Sequence, residues 1–366
     1  LGAASKLFTG VLAFFTEMSA ADTGRLPKCY PEATKLVFYQ PLPGMDASAR
    51  VRASLRYKPQ MRALVIGAGG VGGVLAERLA NAGHDVRVVA RGDHGEAIAR
   101  FGLCVRERKA ERQVALHVLR ARDVADASVD VAFLCVKWPE LESALQELAR
   151  VLAPHGVAVP LLNGLDSEDV VASYVGAQRT LAGVAYMSAG IVSPGVVYEH
   201  GHSRLGLASY RPGQERDLAE LSAALSEAGL PTQTHDDARS MLWSKMVWNA
   251  PFNAICALVD ANAGEVVARD AELVKRAMRE VIATARVYGV QLPDVLIDGM
   301  LHVTRTEFPD TEPSMLQDMR RGRPTEIDVL AGRVVELAAA RDVPAPVLAT
   351  LTALIRMRAR AAAPHA

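Results

Sequence analysis

The run Met61-Arg-Ala-Leu-Val-Ile-Gly-Ala-Gly-Gly-Val-Gly-Gly-Val-Leu constrains the fold of this chain more than any other. An apolar stretch that reads as a strand ends in Gly67-x-Gly69-x-x-Gly72, and an amphipathic helix follows with Val71, Val74, Leu75 and Leu79 on one side. In such a strand–turn–helix unit the first glycine permits the tight turn. The second lets the backbone approach a pyrophosphate, and the third lets helix and strand pack closely. The free N–H groups and partial positive charge of the helix N-terminus then face the phosphates. A second strand, His84-Asp-Val-Arg-Val-Val-Ala90, follows at the distance a dinucleotide-binding βαβ unit requires.

The residue after that strand selects between cofactors. An acidic side chain there would hold the ribose 2′-hydroxyl of NAD. This chain has Arg91, whose guanidinium suits a 2′-phosphate through forked hydrogen bonds. NADP(H) is therefore expected over NAD, with Asp93 as a nearby opposing charge. Apolar strands continue at α/β spacing: residues 129–136 lead to Lys137, and residues 156–162 lead to Asn163-Gly164, with a helical stretch over 140–152 between them. In an open parallel sheet, ligands sit at the carboxyl ends of strands, where Lys137 and Asn163 fall. On spacing alone, Lys137 could equally be a surface lysine and Asn163 a turn residue. Residues 186–210 carry β-like runs with turns at Ser193-Pro-Gly195 and near Gly201, and are expected to extend the sheet.

Strand signals stop near residue 235. The expected architecture is an α/β Rossmann-type dinucleotide-binding domain over residues 61–235 and an all-α domain over 236–366. Helices are predicted through Lys245, over 271–288, from Ser314 and over 325–341. On the first of these, Lys245, Asn249 and Asn253 stand at i, i+4 and i+8 and share one side. Met241, Leu242, Met246, Trp248, Phe252 and Ile255 surround them. Buried without partners, an ammonium and two amides would each cost about 1–3 kcal/mol or more. The face is either a solvated polar stripe or the floor of a site for a small polar ligand. Pro251 lies inside the same helix, where it frees the carbonyl of Val247 and predicts a kink.

Ser314-Met-Leu-Gln317 fits the S-x-x-Q capping box and places Ser314 at a helix start. Glu326, four residues before Leu330 and eight before Val334, falls on the apolar side of the predicted helix after Pro324, and an inward carboxylate needs a partner. The 41 basic and 41 acidic residues cancel, which argues against a nucleic-acid or acidic-membrane surface. No apolar run approaches the roughly 20 residues a membrane span needs. Cys29, Cys104, Cys135 and Cys256 are scattered without metal-ligand spacing and read as reduced thiols of a cytoplasmic protein. Residues 1–60 lack a sustained period and read as a poorly ordered extension, Met61 opening a sequence that looks like a natural start.

These segments together resemble the ketopantoate reductases (2-dehydropantoate 2-reductases). The resemblance runs from Met61 to about Met357. It is carried by the glycine turn, Asn163-Gly164, the W-x-K-x-x-x-N-x-x-x-N run Trp243–Asn253, and Ser314-Met-Leu-Gln-Asp318 followed by Gly322-Arg-Pro-Thr-Glu-Ile-Asp328. It implies a helical domain like the C-terminal domain of 6-phosphogluconate dehydrogenase, and NADPH-dependent reduction of 2-dehydropantoate to (R)-pantoate on the route to pantothenate and coenzyme A. It casts Lys245 as proton donor and Glu326 as the active-site carboxylate, also near the cofactor. Asn249, Asn253, Ser314 and Asn163 become substrate-binding groups. Gly67, Ala68, Gly69, Gly70, Val71, Gly72, Arg91, Lys137, Asn163 and Ala189 fall to the cofactor. The implied partner is a small 2-oxo acid, with no metal, nucleic acid or membrane, on a monomer or homodimer. Two departures, Ala263 beside Asn262 and Asn253-Ala-Ile-Cys-Ala257, touch the expected pocket wall or its support. They leave open another 2-oxo acid as substrate, and more remotely a non-catalytic NADP-binding sensor.

Overall fold

The computed structural model describes residues 60–201 and 203–361; the expected N-terminal extension, apart from Gln60, lies outside the described residues. The chain alternates strand and helix through β1 (Arg62–Ile66), α1 (Gly70–Asn81), β2 (Asp85–Val89) and α2 (Gly92–Phe101). A hairpin of β3 (Leu103–Arg106) and β4 (Glu111–Val114) follows, then β5 (His117–Leu119) and β6 (Val129–Leu134). The predicted helix over 140–152 is two short pieces, α3 (Leu141–Leu145) and α4 (Leu148–Val151), because the chain already turns extended at Leu152 to begin β7 (Leu152–Pro160).

These strands form a parallel sheet in the order β5-β2-β1-β6-β7. Ala63, Leu64, Val65 and Ile66 are all buried, as a strand covered on both faces requires. The chain winds outward from β1 through β2 to β5 and then returns to β6, so the direction switches between β1 and β6. Ligand crevices of open α/β sheets form at that point, beyond the carboxyl ends of the strands.

After α5 (Ser167–Val175) come β8 (Leu181–Tyr186), β9 (Ala189–Ser193), β10 (Val196–Glu199) and β11 (Arg204–Ser209), then α6 (Glu215–Glu227) and β12 (Thr232–His235). The strands over 186–210 do not extend the main sheet as expected. They split between a three-stranded sheet, β12-β11-β8, and a four-stranded sheet, β4-β3-β10-β9. Two local causes are evident. Pro160 ends β7 without an N–H for a ladder, so among the described residues the backbone pairing of β7 with the next sheet is the single Ala158–Thr180 bridge. Gly195, at φ +75°, folds β9 back on β10, which pairs parallel with β3.

All later elements are helical: α7 (Ala238–Val259), α8 (Ala263–Val287), α9 (Val295–Thr306), α10 (Ser314–Arg320), α11 (Arg333–Ala339) and α12 (Pro346–Ala361). Asp237 caps α7 by accepting from the amides of Arg239 and Ser240, and Asn262 and Glu265 form a capping box on α8. The α7 helix runs unbroken through Pro251 as the centre of the helical half, with Val247, Phe252 and Cys256 in a core shared with α8, α11 and α12. The predicted helix over 325–341 is shorter than expected. It becomes α-helical only at Arg333, after a wide turn over Asp328–Gly332 in which the Gly332 amide reaches the Ile327 carbonyl and Leu330 leaves helical dihedrals. Glu326 therefore stands before this turn and not on a helix.

Candidate active site

A cleft of about 1510 Å³ lies between the carboxyl ends of the sheet strands and the helical half; Val71, Asn163, Ala189, Lys245, Asn253 and Ser314 are among its lining residues. On the sheet side, Gly67 takes φ +96°, and a Cβ there would lie 2.8 Å from the Cys135 carbonyl oxygen. A Cβ on Gly70 would fall 2.2 Å from the Ala189 oxygen, and one on Gly72 would fall 1.9 Å from that of Gly67. At Gly69 the space in front of the backbone is open. The first turn of α1 has no side-chain cap and no acidic residue. Its amides are thus left for an anion, and the cradle fits a dinucleotide pyrophosphate.

The polar residues of the two halves meet in one continuous set of hydrogen bonds. Asn163, just past β7, donates from Nδ2 to Glu326 Oε2 at 3.1 Å, and its Oδ1 accepts from Asn249 Nδ2 at 3.3 Å. Asn253 Nδ2 donates to the Asn249 carbonyl at 3.0 Å. Its Oδ1 accepts from the Ser314 hydroxyl at 3.2 Å and the Met315 amide at 3.0 Å. Here the structure corrects the capping expectation: Pro313 precedes the first helical residue, Ser314 makes no cap, and Asn253 serves an N-terminal amide of α10 in its place.

Lys245 points from α7 into the cleft and donates to the Ala185 carbonyl at 2.9 Å, 5.9 Å from the centre of the Tyr186 ring. Burial draws its pKa down from 10.5 to about 8, against the charges of Glu326 and Glu168, which favour the ammonium. An amine poised there is protonated at neutral pH yet able to release its proton. Other predicted residues are engaged elsewhere. Lys137 forms an ion pair with Asp318 of α10, tying the end of β6 to the helical half. Arg91, two-thirds exposed, pairs with Glu140 at 2.9 Å.

Among the two departures, Cys256 is buried in the helical core away from the cleft. The Ala263 amide donates to the Thr311 carbonyl at 2.9 Å and so braces the segment before Ser314 that lines the cleft. Residues without a role in the sequence reading also frame the site. His94 Nδ1 accepts from the Gly195 amide at 3.0 Å, so the hydrogen is assigned to Nε2, which donates to the Ala68 carbonyl at 2.8 Å. Trp138 Nε1 donates to the Asn163 carbonyl. No sequence signal singles out these two; Asp318 lay within the quoted Ser314 run but without an evident partner.

The family model described as "Ketopantoate reductase PanE/ApbA" matches residues 63–212, and its C-terminal counterpart matches residues 237–359. A 2-dehydropantoate 2-reductase of Mesorhizobium japonicum is 32% identical over 319 residues, covering 81% of this chain and 97% of that protein. Among solved structures, a PanE/ApbA family ketopantoate reductase from Ralstonia eutropha superposes with a TM-score of 0.73 at 30% identity, covering 82% of this chain and 99% of that one. A D-mandelate dehydrogenase bound to NADH and anilino(oxo)acetate superposes with a TM-score of 0.77 at 25% identity and the same coverage.

Proposed function

Since the chain belongs to the ketopantoate reductase family, we propose that it reduces 2-dehydropantoate to (R)-pantoate with NADPH, a step toward pantothenate and coenzyme A. The observation that carries this reading is Lys245: an ammonium drawn into the cleft and joined electrostatically to Glu326, beside the Asn163, Asn249, Asn253 and Ser314 network. With its pyrophosphate held at the glycine turn, the dinucleotide would supply a hydride from its nicotinamide to the ketone carbon. Lys245 donates its proton to the oxygen as charge builds there, which is worth about 10²–10⁴ in rate, or roughly 3–5 kcal/mol of barrier. Glu326, fixed by Asn163, accepts from the substrate hydroxyl and offsets the ammonium. The second Nδ2 hydrogens of Asn249 and Asn253 hold the carboxylate end, and Ser314, whose hydroxyl donates to Asn253 Oδ1, fixes that amide and offers its oxygen as an acceptor to the substrate. A site built to hydrogen-bond a hydroxyl discriminates against analogues without one by up to about 10⁴. Arg91 supports NADPH over NADH, since its fork matches a 2′-phosphate.

A second reading, reduction of a bulkier 2-oxo acid, has its own support. The cleft continues past Lys245 along an apolar wall of Met241, Trp248, Met300, Val303 and Phe308, and a structural relative carries an aryl 2-oxo acid analogue. Turnover measured by loss of reduced-nicotinamide absorbance, with ketopantoate beside aliphatic and aryl 2-oxo acids, decides between them. Ketopantoate should have the highest kcat/KM. Preference for an aryl acid would overturn the substrate, and tight NADPH binding without turnover on any acid would overturn the reductase reading in favour of a sensor. Lys245→Ala should lower kcat at least about a hundredfold with NADPH affinity unchanged.

A further inference from the structure

Glu168 is a buried carboxylate that the chemistry above leaves unused and that, unlike Glu77 and Glu199, has no arginine against it among the ion pairs of the described residues. It sits in the first turn of α5, 2% exposed; its Oε2 accepts from the Ser167 hydroxyl at 3.0 Å, and its Oε1 has no partner of hydrogen-bonding geometry. A carboxylate held this way is costly unless a charge answers it.

The sheet geometry shows where that charge is. The Leu205 amide donates to the Pro231 carbonyl beyond β11. Residues 205 and 207 therefore turn their backbone groups away from β8, and so do their partners Ala185 and Gly183. The backbone groups of 183 and 185 face the β7 side instead, where the one backbone pairing between the two sheets among the described residues is the Ala158–Thr180 bridge. Lys245 takes the Ala185 carbonyl at that edge. Tyr210, next to Ser209 at the start of the β8 pairing, donates to Asp169 and so holds the first turn of α5 against this sheet, and the Gly183 amide, two residues back on the same edge, favours the Glu168 carboxylate. Acid and ammonium thus stand along one strand edge, and Glu168 is, with Glu326, one of the two carboxylates whose field acts on Lys245.

We propose that Glu168 is a positioning residue for the reductase reaction, holding Lys245 charged from inside the fold while Glu326 is occupied by substrate. This rests on Lys245 being the proton donor. Burial pushes the Glu168 carboxyl up to about 7, so it can itself carry a proton near neutrality. The groups facing the pair are Glu326 and the Tyr186 ring at Lys245, and Asp169, Ser167 and the Tyr210 phenol at Glu168. Removing the Glu168 charge withdraws one of the two fields that favour the ammonium, so the Lys245 pKa must fall.

The test is the pH dependence of kcat for ketone reduction in the full chain, with Glu168→Gln, Glu168→Asp and Lys245→Ala in parallel. The wild-type rate should decline above about pH 8 as Lys245 loses its proton. In Glu168→Gln the decline should begin about half to one pH unit lower, with KM for NADPH unchanged, and Glu168→Asp should restore the wild-type profile. A Glu168→Gln profile superimposed on the wild type, with Lys245→Ala inactive, overturns the proposal alone. A fully active Lys245→Ala overturns the donor assignment beneath it. Should Glu168→Gln fail to fold, carboxyl-carbon NMR of the wild type decides. One glutamate must titrate near neutrality and move upward in Lys245→Ala, and its absence refutes the coupling.

Discussion

Lys245→Met should abolish turnover and at the same time make the protein more stable at neutral pH. Burial takes the ammonium from its ordinary 10.5 to about 8. A tenfold change in proton affinity is worth about 1.4 kcal/mol, so keeping Lys245 charged at neutral pH weighs against the folded state by roughly 3 kcal/mol. Two effects reduce the gain from removing it. Lys245 is only partly buried by area, so cleft water screens some of the penalty, and Glu326 and Glu168 lose a counter-charge. The expected gain is about 1–2 kcal/mol. Its pH window follows from the same values. In the unfolded chain the amine keeps its proton to about 10.5, so between about 8 and 10.5 the unfolded state binds more protons and wild-type stability rises with pH. The advantage of Met should be full below about pH 8 and fade toward pH 10.5. Denaturant unfolding of both proteins near neutrality and again near pH 10 measures it. A variant less stable than the wild type at neutral pH, or a difference that does not change with pH, would refute the reasoning.

Three further perturbations test the frame around the cleft. Arg91→Ala should weaken NADPH binding far more than NADH binding, and Glu140→Gln, by releasing Arg91 from its 2.9 Å partner, should tighten NADPH selectively; equal effects on both cofactors in a fluorescence titration would remove Arg91 from phosphate recognition. Gly70→Ala drives a methyl group into the Ala189 carbonyl, a backbone overlap that should cost about 1–3 kcal/mol and reduce cofactor affinity at least tenfold, checked by unfolding and by the same titration. Arg112→Leu strips one of the two arginines shared by Glu77 and Glu199, each about 1% exposed, and leaves Arg78 as their remaining cation; it should destabilise the protein by about 1–3 kcal/mol in a denaturant melt.

The amino-acid order alone determined what depends on local sterics and on helical or strand period. The glycine turn was legible because no side chain fits at Gly67 or Gly72 and the backbone at Gly69 is left open to a ligand, and the shared face of Lys245, Asn249 and Asn253 because residues four apart stack along a helix. Glu326 was aimed inward by a helical period that the fold does not have there, since it stands before the wide turn over Asp328–Gly332 and meets the site through Asn163 instead. Only the tertiary structure decided which distant groups answer one another. Asn163 meets Asn249 across 86 residues, Lys137 meets Asp318 across 181, and Asn253 displaces Ser314 from its own cap. The splitting of the later strands into separate sheets and the engagement of Arg91 by Glu140 belong to the same class. Period and turn chemistry act within a few residues, whereas the partner of a buried charge is set by which surfaces the packed halves bring together.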